Sequence, residues 1–462
     1  MKPYVEMAEQ ARSRMRLVGD PEPEEPWNRE SVFESGGFVP PKLGRLAEEV
    51  GHLRLGPGGD LWRYENGVYR PDLREEWLGG FVRNRLGDQF RRNRLAEVKA
   101  WCHTNVQARI PIQPSTEFVN VRNGLLYWRE DPPRLDAHSP DVSSPIQLPV
   151  EWNPDARCPA IFEFLRQVLP EEDFEGHYRF VVEWCGYLLL PTTKFKQALM
   201  LPGPTDTGKS RFLGLCEALL GSRNVANATL QAVTGEKFTA ADLFGKLANI
   251  SADLDAKAVQ STGLFKMLVS GDPMHLERKY EHGFDAPLFA RLMFSANEAP
   301  GTSDQSDAYF SRWLMLPMAR RVPKERQDPD LLDKLTTPEE LSGLLLHAVN
   351  GLKLLMRRRR FLVPVAMEEA LAEYRLRADP VIGYVAERIM FDPDARTHTS
   401  TVYADFEEWC KRNGRHALGA GRFKEHLPEV YPQVDCRTSR GYPTFFGLRL
   451  RDVSDEATEE GG

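Results

Sequence analysis

Leu199-Met200-Leu201-Pro202-Gly203-Pro204-Thr205-Asp206-Thr207-Gly208-Lys209-Ser210 is a short apolar strand candidate running into a string of the form G-x-x-x-x-G-K-[ST]. Arg211–Leu220 continues with helical periodicity until Gly221 stops it. Strand, glycine-bounded loop and helix in that order make a phosphate cradle. Gly203 and Gly208 let backbone N–H groups curl round an anion, with Pro204, Thr205, Asp206 and Thr207 between them. The helix N-terminus adds the positive end of its dipole. Lys209 is placed to reach β- and γ-phosphates and Ser210 to ligate Mg²⁺. Asp206, a negative charge inside the loop, is expected to serve the turn geometry with its carboxylate pointing away. The expected ligands are ATP and Mg²⁺.

Outward from the loop, a metal-organising acid is required at the end of a neighbouring strand. Leu247–Asp253 is an apolar run that ends in Asp253, with Asp255 two positions on. Asp253 is expected to hold the metal from its outer coordination sphere, and Asp255 or Asp253 itself to polarise the attacking water. Solvent-facing helix-cap aspartates are the alternative. Leu292–Ala296 is a third strand candidate, followed by Asn297, whose amide suits a γ-phosphate contact or alignment of the lytic water. Asn297-Glu298-Ala299-Pro300 would equally suit an Asx-turn. Fifteen residues on, Arg312 opens the apolar run Trp313-Leu314. In a ring of subunits it can enter the neighbour's site as an arginine finger; otherwise it forms an intrachain salt bridge.

Composition bounds the rest. The 462 residues carry 60 basic and 67 acidic side chains, a net charge of −7. That excludes a globally basic nucleic-acid coat, so any polynucleotide contact must come from a local patch or an assembled channel. No apolar run approaches the roughly 18 residues of a membrane helix, and Met1–Asp20 lacks a signal-peptide core. The six cysteines stand at least 26 positions apart, without metal-ligand spacing. A reduced cytosolic protein is expected, not a secreted, membrane or zinc-ribbon one.

Residues 1–37, with Pro21–Pro26 and the pair Gly36-Gly37, read as a poorly ordered segment, and 452–462 as an acidic tail. Residues 38–190 read as an α+β module with turns at Asn66-Gly67 and Asn123-Gly124 and helices at Ile161–Leu169 and Tyr178–Leu190. Residues 191–335 alternate strands and helices as a mostly parallel sheet would. In the connector 336–379, Thr337-Pro338-Glu339-Glu340 opens a helix, with Glu340 expected to reach back as a capping-box partner. Residues 380–451 hold helices at Val381–Met390, Thr401–Asn413 and Gly421–Leu427. Strands at Val434–Arg437 and Thr444–Leu450 complete a winged-helix pattern.

The four elements in this order resemble the superfamily 3 helicases, a branch of the AAA+ ring ATPases. They are most similar to the ATPase half of phage and plasmid primase-helicases related to the poxvirus primase-helicase. The resemblance is carried by Ala248–Leu254, Gly263-Leu264-Phe265-Lys266, Ser270-Gly271-Asp272 and Glu277-Arg278-Lys279-Tyr280. Phe294–Pro300 and Asp307–Trp313 complete it. Upstream, Asn123–Leu126 and Trp184-Cys185-Gly186-Tyr187 look like the family's helicase-associated domain, so about residues 40–320 are covered. The implied fold is an α/β AAA+ P-loop ATPase core with an N-terminal α+β helicase-associated domain and a C-terminal winged-helix module. Two departures stand out. Ser311 replaces the first of two arginines often found before the tryptophan, and an N-terminal primase domain is expected to be absent.

The resemblance implies an ATP-dependent DNA helicase moving 3′→5′ in replication of a phage, plasmid or mobile element. It would work as a homo-hexamer in the cytoplasm of a bacterial host, on single-stranded or forked DNA, beside a separate primase. It also implies a channel hairpin in which Lys279 contacts phosphates, Arg278 and His282 flank it and Tyr280 stacks. A solvated hairpin tip paired with Glu277 and Glu281 is the bland alternative. Two other functions fit the loop: a non-unwinding initiator or loader that uses ATP as a switch, and a metabolic kinase, for which no acceptor pocket or lid segment can be named.

Overall fold

The computed structural model describes residues 28–235, 241–252, 254, 261–276, 283–302, 304, 306–415 and 417–451. They fall into two units, one within Met1–Tyr64 and Arg70–Ile110, the other within Glu65–Tyr69 and Pro111–Gly462.

The first unit is built on helices α1 (Pro40–Gly51), α2 (Glu76–Leu86) and α3 (Arg92–Asn105). Leu43, Ala47, Leu78, Val82, Leu86, Val98 and Cys102 share its core. Part of the segment expected to lie outside any fold belongs to it. Arg29–Val32 forms a 3₁₀ turn with Val32 buried, and Phe33–Glu34 pairs antiparallel with Gly37–Phe38. Ser35 and Gly36, both at positive φ, make the hairpin turn. A Gly-Gly pair marks a tight turn as readily as a domain edge, which is why the sequence misleads there.

In the second unit, Val119–Val121 and Gly124–Tyr127 pair with Val121 opposite Gly124. The turn is therefore Arg122-Asn123, one residue earlier than expected. Helices α4 (Pro159–Val168) and α5 (Phe174–Leu188) follow. The sheet is entirely parallel, with strands β1 (Ala198–Pro202), β2 (Val225–Ala226), β3 (Ala248–Ser251), β4 (Arg291–Ala296) and β5 (Trp313–Met315) in spatial order β2-β3-β4-β1-β5. Helix α6 (Lys209–Leu220) carries the chain from β1 towards β2, and α7 (Thr262–Ser270) lies between β3 and β4 in sequence. Both sheet faces are covered, so the strands read as short continuous apolar runs. Alternation sends Leu199, Leu201 and Met293 into one core with Phe212. Ala198, Met200, Leu292 and Phe294 go into the other with Phe265 and Trp313.

The connector helix α8 (Pro338–Arg358) packs along α5. A Cβ on Gly186 would stand 2.3 Å from Ala348 O, and one on Gly351 2.5 Å from Val182 O. The two glycines let the helix backbones touch, which accounts physically for the Gly186-Tyr187 pattern. Thr337 caps α8 by accepting from Glu340 N at 3.4 Å. Glu340 itself does not close the capping box. Its carboxylate accepts from Ala160 N and Ile161 N, both at 3.0 Å, and so caps α4 instead. Buried amides at a helix start outcompete a solvated one for a carboxylate.

Beyond α9 (Val365–Ala378) come α10 (Pro380–Arg388), β6 (Ile389–His398), α11 (Thr399–Arg412), α12 (Ala420–Val430), β7 (Asp435–Ser439) and β8 (Tyr442–Leu450). They form an antiparallel sheet ordered β6-β8-β7 around Val381, Tyr384, Phe406, Phe423 and Phe445. The helix expected to reach Met390 stops at Arg388, because Ile389 onward pairs with β8 from Leu450. Pro393 cannot donate to the ladder, and the register shifts between Phe391 and Arg396 around it. No described helix is long and apolar enough to cross a membrane.

Candidate functional site

Connections fix where a ligand can sit. From β1 the chain crosses to β2 at one edge of the sheet, and from β4 it passes to β5 at the other, yet β1 and β4 are neighbours. The crevice beyond their C-terminal ends is therefore a topological switch point, the usual place for a ligand in an open α/β sheet. Ala296 lies opposite Pro202, which puts the loop starting at Gly203 beside Asn297.

The loop is fixed by packing at both ends. Gly203 has φ 154°, and a Cβ there would come within 2.1 Å of Met318 O. Gly208 has φ 87°, and a Cβ would meet Val168 of α4 at 2.7 Å. Asp206 adopts the left-handed region at φ 62°, and its carbonyl accepts from Val322 N at 2.7 Å. Thr207 is buried, and its hydroxyl donates to Pro204 O at 3.1 Å. The strained positions thus hold a concave strip of backbone.

Helix α6 starts at Lys209 with Gly208 as N-cap and no side-chain cap, so its first amides remain open to an anion. Lys209 is 8 % exposed. Its ammonium bends over the loop and donates to Gly203 O at 2.6 Å and to Pro204 O. A phosphate oxygen offers a stronger, charged acceptor at that position. Ser210 is exposed at the helix start, as a metal ligand must be.

A cavity of about 620 Å³ opens over the loop, lined by Thr205–Arg211 and Asn297, by Phe164 and Val168 of α4, and by Val322, Arg326 and Leu331. One end offers cation, amides and hydroxyl; the rest mixes apolar side chains that could flank a base with Gln167, Arg326, Gln327 and Asp328. The residues present therefore fit a nucleoside triphosphate with a divalent cation. Asn297 also borders a second cavity of about 590 Å³ on the far side of Gly203 and Pro204, reaching Tyr374, Arg377 and Arg415.

The remaining expected residues divide. Leu254 N donates to Ser295 O at 2.9 Å, so the chain leaving β3 still runs beside β4. Asp253 and Asp255 lie outside the described residues. So do Arg278, Lys279, Tyr280 and His282, between Pro273–Leu276 and Phe284–Pro287, which pair antiparallel. Arg312 precedes β5 at the opposite end of the sheet from the loop, since Trp313 faces Ala198. Its guanidinium donates to Ala308 O and to Ser270 Oγ at 3.1 Å, and among the described residues it forms no ion pair. Lys266 pairs with Asp304 at 2.8 Å. Partial burial works against the Asp304 charge, but hydrogen bonds from Lys266 and Ser306 prevail and hold its carboxyl well below the usual range.

Sequence reasoning missed Arg291, the first residue of β4. It is fully buried, over the Tyr187 ring at 5.3 Å, and donates to Leu188 O, to Phe289 O at 2.7 Å and to Thr192 O at 3.3 Å. Burial pushes its pKa down to about 10. It ties the C-terminal end of α5 to the sheet that bears the loop. Its only sequence signal was one arginine inside an apolar strand.

Comparison with known proteins adds two partial matches. Residues 201–312 match a family model described as a family of unknown function (DUF5906). Residues 376–445 match one described as Poxvirus D5 protein-like, so the C-terminal module resembles that family. No curated protein matches the chain. Among solved structures, the A-form apo C-terminal region of NrS-1 has a TM-score of 0.46 and 10% identity over 88% of this chain and 98% of that one. An apo form of the same region, residues 305–718, gives 0.45 and 11% over 89% and 99%.

Proposed function

We propose that this chain is an ATP-dependent DNA helicase of the superfamily 3, AAA+ type, working as a ring in DNA replication. The observation that carries the reading is the meeting of Lys209, Ser210 and Asn297 in one cavity at the switch point of a parallel sheet. The α10-β6-α11-α12-β7-β8 order supports a winged-helix module at the C-terminal end.

In this reading the open amides of α6 align the phosphates, and Lys209 leaves its carbonyl partners to neutralise them. Ser210 would ligate Mg²⁺, with Asp253 ordering it from the outer coordination sphere, and the ion would add to the neutralisation of the phosphate charge. Asn297 donates its amide to the γ-phosphate or orients water, and Asp253 or Asp255 accepts the water's proton. Arg312 lies too far along β1 to serve its own loop: four strand residues span about 13 Å. Its partners, a carbonyl and a hydroxyl, release it at modest cost to a neighbouring subunit's site. Lys279 and its neighbours grip the strand.

Phosphate release with and without DNA, followed by displacement from a forked duplex, tests the proposal. DNA-stimulated turnover with ATP-dependent strand separation is expected. Turnover without separation would leave the initiator reading in its place, and a chain that stays monomeric with nucleotide and DNA supplied would overturn the ring.

A further inference from the structure

In the first unit, the twelve residues Arg83-Asn84-Arg85-Leu86-Gly87-Asp88-Gln89-Phe90-Arg91-Arg92-Asn93-Arg94 contain five arginines and one carboxylate. They span the end of α2, a 3₁₀ turn at Gly87–Gln89 and the start of α3. The fold sets the side chains of Arg83, Arg91 and Arg94 against that turn. The Arg83 guanidinium lies over the Phe90 ring at 5.8 Å, and that of Arg94 over Phe33 at 5.0 Å and Phe38 at 5.5 Å. Arg91 donates to Asp88 O at 2.8 Å and Phe90 O at 2.7 Å, and Arg94 to Gln89 O.

These partners are rings and carbonyls, which fix guanidinium planes without cancelling their charge. Among the described residues, Arg83, Arg91, Arg92 and Arg94 form no ion pair. Asp88, the one carboxylate in the stretch, has a side chain that is 96% exposed and, among the described residues, forms an ion pair only with Arg29, at 3.7 Å. The corner is also electrostatically unfavourable for the helix it opens. Helix α3 has Arg91 as N-cap, no side-chain cap and no acid in its first turn, where Arg92 and Arg94 stand instead. An uncapped start leaves the first amides unsatisfied, and each cation at the positive end of a helix dipole is repelled by it. A polyanion docked here would reverse both penalties.

We propose that this corner is a nucleic-acid contact that takes the phosphate backbone, separate from the phosphate loop and from the segment holding Lys279. Flat guanidinium forks match phosphate oxygens, and the aromatic rings beneath hold them open for a strand lying across. The contact needs no bound nucleotide, so it stands or falls independently of ATP turnover.

Anisotropy titrations of the full chain without nucleotide, against labelled oligothymidylate and a labelled duplex over a range of salt, test it. The triple variant Arg83→Gln, Arg91→Gln, Arg92→Gln should lower the log K against log salt slope for the single strand by about 2. Each phosphate no longer neutralised accounts for about 0.7 of that change, and affinity should fall about tenfold. Arg92→Gln alone removes an exposed guanidinium that has no hydrogen bond or ion pair among the described residues, and should lower the slope by about 0.7. It guards against a triple variant that misfolds. A greater loss on the duplex than on the single strand would assign the contact to double-stranded phosphates. Unchanged slopes on both would overturn the proposal, as would polyglutamate displacing the corner's ligand as effectively as DNA, which would mark an acidic protein as the partner.

Discussion

Three helices of this molecule begin in three different ways. Helix α4 buries one face, and its first amides are met by the Glu340 carboxylate from α8. Helix α6 has no such partner, only a glycine-bounded loop and Lys209 turned onto its carbonyls. Helix α3 has neither carboxylate nor loop, only arginines on aromatic rings. The first is a structural solution, in which a negative charge supplied by the fold satisfies the helix start. The other two withhold that charge and add positive charge, leaving the anion to come from outside. They differ in enclosure. The α6 loop opens into a cavity of about 620 Å³, a size that suits one compact ligand, whereas the α3 corner lies on the surface, where a polymer could pass.

The contrast can be broken at each helix. Lys209→Ala removes the cation from the enclosed site, and phosphate release should fall by about 10²–10³-fold or more. Asn297→Ala in the same cavity should lower turnover by about 10–100-fold while a fluorescent ATP analogue still binds. At α4, Glu340→Gln keeps the shape and loses the charge, lowering stability by about 1–3 kcal/mol in denaturant titrations. Because α4 supplies Phe164 and Val168 to the cavity, that variant should also raise KM more than it lowers kcat.

A pH titration probes a fourth charged contact. His426 of α12 bonds Asp379 at 2.7 Å and Glu429 at 2.9 Å. Asp379 raises its pKa most, burial opposes, Glu429 adds, and the result is a pKa of about 9. With the folded pKa above the unfolded one, the interaction contributes fully below about pH 6.5 and disappears as pH rises through about 9. After solvent screening its size is about 1–2 kcal/mol. Thermal melts should show this alkaline loss in the parent and not in His426→Gln. The smallest effect belongs to α3. Arg91→Asp supplies the missing N-cap and should stabilise the first unit by about 1 kcal/mol by hydrogen exchange, while weakening DNA binding. A variant that gained neither stability nor a DNA defect would place α3 with α4 as a purely structural start.

Much of this was legible beforehand. The phosphate loop, its strand and its helix were read from a local pattern, because glycine, lysine and serine at fixed spacing are dictated by backbone geometry within a dozen residues. Asn297 was placed by its position after an apolar run. Arg291 and the capping of α4 by Glu340 were not legible: each acts on residues about 100 to 180 positions away, and no local periodicity marks such a partner. The strand at Ile389–His398 was missed for the same reason, since its pairing with β8 comes from the far end of the module.

By itself the sequence determined that a strand would run through a glycine-bounded loop into a helix, that the loop must bend at Gly203 and Gly208, and that a basic stretch runs from Arg83 to Arg94. Only the tertiary structure decided that β4 lies beside β1, that α4 walls the cavity under a borrowed cap, and that the arginines keep their charge by resting on rings and carbonyls. The physical reason is range. Dihedral preference and charge are written residue by residue, while burial, the choice of hydrogen-bond partner and the neutralisation of charge depend on what distant segments bring alongside.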